Sequence, residues 1–141
     1  MISPETWPQP AARLWVLAQR FQKFIVVGSV GLIVNQGLLF LLSDFAKARL
    51  IFASPSAIFV SMVVTFTLNE MWTWHDRGSG PIKSRIALYF PINLVGLLIN
   101  FVVLTMLVNH AGWHYLLANL VGAGCAAVWN FVLNNMVTWR E

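Results

Sequence analysis

Asparagines recur inside otherwise apolar stretches of this chain, and Asn35, Asn69, Asn100, Asn130 and Asn134 are the candidates among them. An amide offers two donors and one acceptor oxygen, so in a dry environment it bonds a neighbouring helix, a sugar hydroxyl or a phosphate oxygen. Glu70 is the carboxylate beside these amides, and it reads either as a solvated charge at a helix end or as a ligand for a sugar hydroxyl or a cation. Trp129, next to Asn130, reads as packing or as an aromatic plane for a sugar ring. Arg20, Lys23, Lys83 and Arg85 form a basic rim suited to anionic headgroups, and together they could dock a lipid phosphate. The substrate-binding candidates are therefore Asn35, Asn69, Glu70, Asn100, Asn130, Asn134 and Trp129, with Arg85, Lys83, Arg20 and Lys23 for phosphate.

Other chemistries lack their residues. His75, His110 and His114 do not have metal-ligand spacing, no nucleophile stands with a base, and no glycine-rich phosphate loop follows a strand. The expectation is a chain that is not an enzyme and holds no metal or cofactor. Basic and aromatic residues do not share a soluble face, so nucleic acid is not an expected partner. The single cysteine, Cys125, excludes an intramolecular disulfide.

The elements that must position these residues follow from composition. Of 141 residues, 58% are hydrophobic and 10% charged, a balance that belongs to a membrane rather than to water. Four apolar stretches run from about Phe24 to Ser43, Ala53 to Trp72, Ile86 to Val108 and Leu116 to Val137. Each is near the ~20 residues that cross ~30 Å of hydrocarbon as a helix, and none alternates as barrel strands do. The fold class expected is an all-α membrane protein with four transmembrane helices. Basic residues gather in the N-terminal segment, in the loop His75 to Arg85 and at the C-terminus, which places both termini in the cytoplasm of a multi-pass protein of the cytoplasmic (inner) membrane. Trp7, Trp15, Trp72, Trp74 and Trp139 collect on that side and Trp113 on the other, as an interfacial belt would. Leu14, Leu17, Ala18 and Phe21 recur opposite Arg13, Gln19 and Lys23, predicting a short amphipathic helix in the headgroup region within residues 1–23. Residues 24–141 form the transmembrane domain.

An offset of 65 residues superposes the two halves without a gap, as repeats of about 21–76 and 86–141. Val30, Gly31, Leu32 and Asn35 meet Val95, Gly96, Leu97 and Asn100; Asn69, Met71, Thr73 and Trp74 meet Asn134, Met136, Thr138 and Trp139. Matching Asn and Trp at one offset marks a duplicated two-helix hairpin, not shared greasiness. Two spans per repeat predict parallel copies about an axis along the membrane normal. Small and polar residues form stripes: Gly28, Gly31 and Asn35, repeated by Asn93, Gly96 and Asn100; Ala57, Ser61, Thr65 and Asn69, repeated by Gly122, Ala126, Asn130 and Asn134. Such stripes either let helix backbones approach or line a polar cleft.

The ordered motifs resemble the GtrA-like family of small four-span membrane proteins. They are Phe21-Gln22-Lys23-Phe24 to Ser29 with Asn35, Leu68-Asn69-Glu70-Met71-Trp72-Thr73-Trp74, Asn100, Ala118-Asn119, and Asn130-Phe131-Val132-Leu133-Asn134-Asn135. In the family pattern a basic residue often follows the asparagine closing the second span, whereas Glu70 and Asn135 stand here, leaving the charge role to Arg85 or Lys83. The resemblance implies a translocase of a polyprenyl-phosphate-linked monosaccharide, typically glucose, for cell-surface polysaccharide, with a polyprenyl-phosphate glycosyltransferase and membrane lipids as partners. A non-transporting anchor for that glycosyltransferase is the alternative. A small multidrug exporter ranks last, because Phe24 to Ser43 contains no carboxylate. Four spans leave little room for a wide cavity, so a homo-oligomer is a further expectation.

Overall fold

A computed structural model describes residues 7–78 and 80–141. Among them every regular element is helical: α1 (Gln9–Phe40) continuing as a widened turn, Leu41–Phe45; α2 (Leu50–Leu68) continuing as Asn69–Thr73; α3 (Ile82–Asn109); and α4 (Tyr115–Leu133) continuing as Asn134–Thr138. All four helices have the length and apolarity to cross a membrane, and the chain is an all-α, multi-pass membrane protein. It divides into two compact units, 1–75 and 76–141. The first is the hairpin of α1 and α2, the second that of α3 and α4.

The duplication is visible in the helix limits. α2 and α4 begin and end at matching positions, and the widened turns that follow also match, Asn69–Thr73 with Asn134–Thr138. In each, the backbone hydrogen bond spans five residues: the Trp74 N–H donates to the Asn69 carbonyl at 2.9 Å, and the Trp139 N–H to that of Asn134 at 2.8 Å. This π-type turn re-aims the side chains at the helix end.

α1 departs from expectation at its start. Pro8 precedes it and Pro10 lies in its first turn, where a missing N–H costs nothing. From Ala11 to Val27 there is neither glycine nor proline, so the amphipathic stretch is not a separate short helix; it runs unbroken into the span. The predicted N-terminal segment otherwise includes residues 1–6, which lie outside the described residues. At ~1.5 Å per residue the 32 residues of α1 are ~48 Å long, well beyond the ~30 Å hydrocarbon layer. Its overhang, Arg13 to Gln19, is exposed.

The hairpin turns use left-handed backbone where the chain must reverse. Lys47 (φ 56°) sits between α1 and α2, and Gly112 (φ 67°) between α3 and α4. His114 caps α4, its Nδ1 accepting the Leu116 N–H at 3.3 Å. Pro91 interrupts the α3 ladder. Around it, carbonyls take side-chain donors: Asn93 Nδ2 donates to Tyr89 O (2.8 Å) and Trp129 Nε1 to Ile92 O (3.1 Å).

Candidate functional site

Polar side chains concentrate at two levels in each hairpin: the basic end and the seam between the two helices. At the basic end of the first hairpin lie Arg20, Phe24, Asn69, Thr73 and Trp74; at that of the second lie Arg85, Tyr89, Asn134, Thr138 and Trp139, each at the 65-residue offset, and all ten are buried. The π-type turns direct Asn and Thr inward, where Thr73 Oγ1 donates to Asn69 Oδ1 at 2.8 Å and Thr138 Oγ1 to Asn134 Oδ1 at 2.7 Å. Each tryptophan seals its cluster edge-on against the aromatic ring of the facing helix, Phe24–Trp74 at 5.9 Å and Tyr89–Trp139 at 5.7 Å between centroids. Trp74 and Trp139 are each 1% exposed, so they belong to the core and not to the expected belt. Trp7, Trp15, Trp72 and Trp113 are exposed, as belt residues are. The belt expectation failed for two rings because it counted tryptophans near span ends, and the widened turn swings these inward.

The four phosphate candidates separate by environment. Arg20 and Arg85 are equivalent and only 8% and 7% exposed. Arg85 Nη1 donates to the Gly80 carbonyl at 2.8 Å, so the guanidinium is tied to the loop that opens its own hairpin. Lys23 is half-buried with Nζ 5.8 Å from the Trp72 ring centroid, a cation–π contact. Lys83 is exposed. Glu70 is half-buried on the widened turn of the first hairpin. At the equivalent position of the second, Asn135 Oδ1 accepts from Arg77 Nη1 at 3.0 Å, and Arg77 also pairs with Glu141 at 2.5 Å.

In the seam of the second hairpin, two amides and two glycines interlock. A Cβ on Gly96 of α3 would lie 2.2 Å from Asn130 Oδ1, and a Cβ on Gly122 of α4 would lie 2.3 Å from Asn100 Oδ1. Each asparagine of one helix therefore fills the notch made by a glycine of the other. Asn100 Oδ1 and Asn130 Oδ1 are buried and have no N–H or O–H partner among the described residues. The glycine Cα–H groups point at them, and weak Cα–H···O contacts of this kind recur where helices meet closely. Asn134 Nδ2, at the basic end, is likewise buried without an acceptor. The first hairpin builds its seam from hydroxyls: Ser61 Oγ donates to the Gly31 carbonyl at 2.7 Å, and the Thr65 methyl occupies the Gly31 notch.

The predicted stripes hold with one correction. α1 buries Arg20, Phe24, Val27 and Gly31, whereas Gly28 is exposed with nothing within 4 Å of a Cβ placed there. Steps of four, three and four put the buried face on 20, 24, 27 and 31, and Gly28 falls about 70° to one side of its centre. Asn35 is half-buried on α1, and Asn93 turns back to its own helix. Trp129, half-buried, spends its indole N–H on the Ile92 carbonyl.

What sequence reasoning missed is the pairing: Thr73 and Thr138 as partners of Asn69 and Asn134, Arg20 as the equivalent of Arg85, and glycines as receptacles for amides. The constant offset carried a signal for the first two. The third required knowing which helix packs on which.

Comparison with known proteins agrees with this architecture. Residues 23–139 match the family described as GtrA/DPMS, transmembrane domain. The chain is also 37% identical over 120 residues to a dolichol-phosphate mannosyltransferase of Pyrococcus furiosus, an alignment covering 85% of this chain and 34% of that relative. It thus spans about a third of the relative's length. The family match begins inside α1, beyond the amphipathic overhang, and runs through both hairpins to the second sealing tryptophan. With two duplicated hairpins, each closed by an Asn–Thr–Trp turn, and a match over most of its length, the chain belongs to the GtrA/DPMS transmembrane-domain family.

Proposed function

We propose that this chain moves a polyprenyl-phosphate-linked monosaccharide across the cytoplasmic membrane, with the basic end of each hairpin on the cytoplasmic face, and that it does so without enzymatic chemistry of its own. The observation that carries this reading is the pair of membrane-embedded acceptors Asn100 Oδ1 on α3 and Asn130 Oδ1 on α4, the second of them one helical turn from the buried Asn134. Unmatched amides in hydrocarbon are costly, and hydroxyl donors of a sugar are the groups they lack. Family membership and likeness to a mannosyltransferase named for dolichol phosphate support a polyprenyl-phosphate sugar as the cargo class. In this scheme Arg85 and Arg20, with Lys83 and Lys23 around them, receive the phosphate; Asn35, Asn69, Asn100, Asn130 and Asn134 exchange hydrogen bonds with the sugar; Glu70 and Trp129 flank it. Glucose is the first sugar to try and mannose, from the relative's name, the second.

A second reading, an anchor for a polyprenyl-phosphate glycosyltransferase, draws support from the interlocked amides and glycines, which serve packing without any cargo. Proteoliposomes holding only this protein separate the two. Translocation predicts faster transfer of labelled polyprenyl-phosphate glucose or mannose between leaflets than in empty vesicles. Equal rates for both sugars in the two preparations leave the anchor. A homo-oligomer belongs to either reading and is checked by mass in nanodiscs.

A further inference from the structure

An open groove of about 590 Å³ runs along the second hairpin, lined by Ile99 of α3 and by Val121, Gly124, Cys125, Val128 and Trp129 of α4. It lies in the middle of α4, at hydrocarbon depth. Its walls are hydrocarbon apart from a thiol and an indole N–H already spent on the Ile92 carbonyl. Gly124 makes the space, since a Cβ built there meets nothing within 4 Å. The duplication is broken here: the first hairpin has Phe59 where the second has Gly124, Val60 for Cys125 and Val64 for Trp129, and Phe59 is largely exposed.

We propose that this groove seats the polyisoprenoid tail of the cargo lipid. The inference rests on the function proposed above and adds where the tail goes. The groove borders the amide seam, for Ile99 precedes Asn100 and Trp129 precedes Asn130, whose buried oxygens lack partners. Five residues beyond Trp129, ~7 Å along a helix, lie Asn134 and the buried basic end. Apolar groove, the Asn130 amide and the guanidinium thus follow one another along the hairpin as tail and polar head do along the lipid. A methyl-branched, partly unsaturated chain has fewer conformations to lose than a saturated acyl chain, so a preformed groove of valine and isoleucine methyls and one indole face favours it.

The test uses the full chain in nanodiscs of phosphatidylcholine and phosphatidylglycerol, one chain per disc, with a polyprenyl phosphate carrying a diazirine in its third isoprene unit. After photolysis, peptide mass spectrometry should find at least fivefold more label on the α4 segment 121–129 than on 56–64 of α2. Excess undecaprenyl phosphate should compete it away and excess dioleoyl phosphatidate should not. Gly124→Phe, which restores the first hairpin's residue in open space, should cut the label at least fivefold with circular dichroism unchanged; Gly124→Leu serves if the phenylalanine variant misfolds. Label spread evenly over the helices, equal competition by phosphatidate, or indifference to both variants overturns the proposal. So does label on 121–129 that is lost when two chains share a disc, because a second copy then covers the groove. The readout is binding, so a silent translocation assay with specific label refutes transport and leaves the groove standing, and transport without specific label does the reverse.

Discussion

The interlock of amides and glycines allows a prediction that separates two superficially identical substitutions. Gly96→Ala brings a methyl against three atoms of the Asn130 side chain, its nearest neighbours, at 2.2 to 2.8 Å. That side chain can rotate away for ~0.5–1.5 kcal/mol, which the gain in helix propensity of alanine over glycine, up to ~1 kcal/mol, nearly cancels. Gly122→Ala meets Asn100 Oδ1 at 2.3 Å and also the Asn100 backbone carbonyl at 2.8 Å, which cannot move without separating α3 from α4. Overpacking of this kind costs ~1–3 kcal/mol, leaving a net loss of up to about 2 kcal/mol after the same ~1 kcal/mol propensity gain. A double-mutant cycle sharpens the contrast. Asn130→Ala should rescue Gly96→Ala fully, while Asn100→Ala should rescue Gly122→Ala only in small part, because the carbonyl remains. Unfolding in mixed detergent micelles, followed by circular dichroism, measures all seven proteins, the wild type and six variants. If Gly122→Ala is no worse than Gly96→Ala, or if Asn100→Ala restores it completely, the close approach of α3 and α4 at Gly122 is wrong.

Other expectations follow from single contacts. Thr138→Val leaves Asn134 Oδ1 without its 2.7 Å donor in a fully buried cluster and should cost about 1–2 kcal/mol in the same unfolding assay, with Thr73→Val costing a similar amount in the first hairpin. Arg77→Ala should destabilise the second hairpin more than Glu141→Gln, since the Arg77–Glu141 ion pair is largely exposed at the glutamate and worth little, whereas Arg77 also binds the Asn135 side chain and the Trp139 carbonyl. In proteoliposomes, Arg85→Ala should slow translocation about tenfold or more, the loss of one charge-assisted phosphate contact, and Lys83→Ala much less; equal effects would argue against Arg85 as the phosphate ligand.

The four spans, the duplication and the membrane setting were legible because they rest on composition and on one constant offset, which need no knowledge of neighbours. Twenty apolar residues in lipid have few choices besides a helix, since every backbone group must bond within the segment. The same logic located the polar stripes. It could not tell Gly28 from Gly31, three residues apart on α1, because which flank of the stripe meets α2 depends on how the two helices cross.

Nor could the sequence show that Trp74 and Trp139 turn inward. Their burial follows from a turn closed by five-residue backbone hydrogen bonds, a feature without a residue signature of its own. The N-terminal amphipathic stretch continues directly into the span because nothing between Ala11 and Val27 interrupts a helix, a point the residues themselves carried. The groove at Gly124 depended on tertiary packing as well. A glycine on an apolar helix is silent until the facing residues are known, and only the folded hairpin shows that this one opens a space while Gly96 and Gly122 each receive an asparagine. Sequence thus determined which atoms must leave water and roughly where they cross; the crossing of two helices decided which of them touch, because contact depends on angles that a linear pattern does not record.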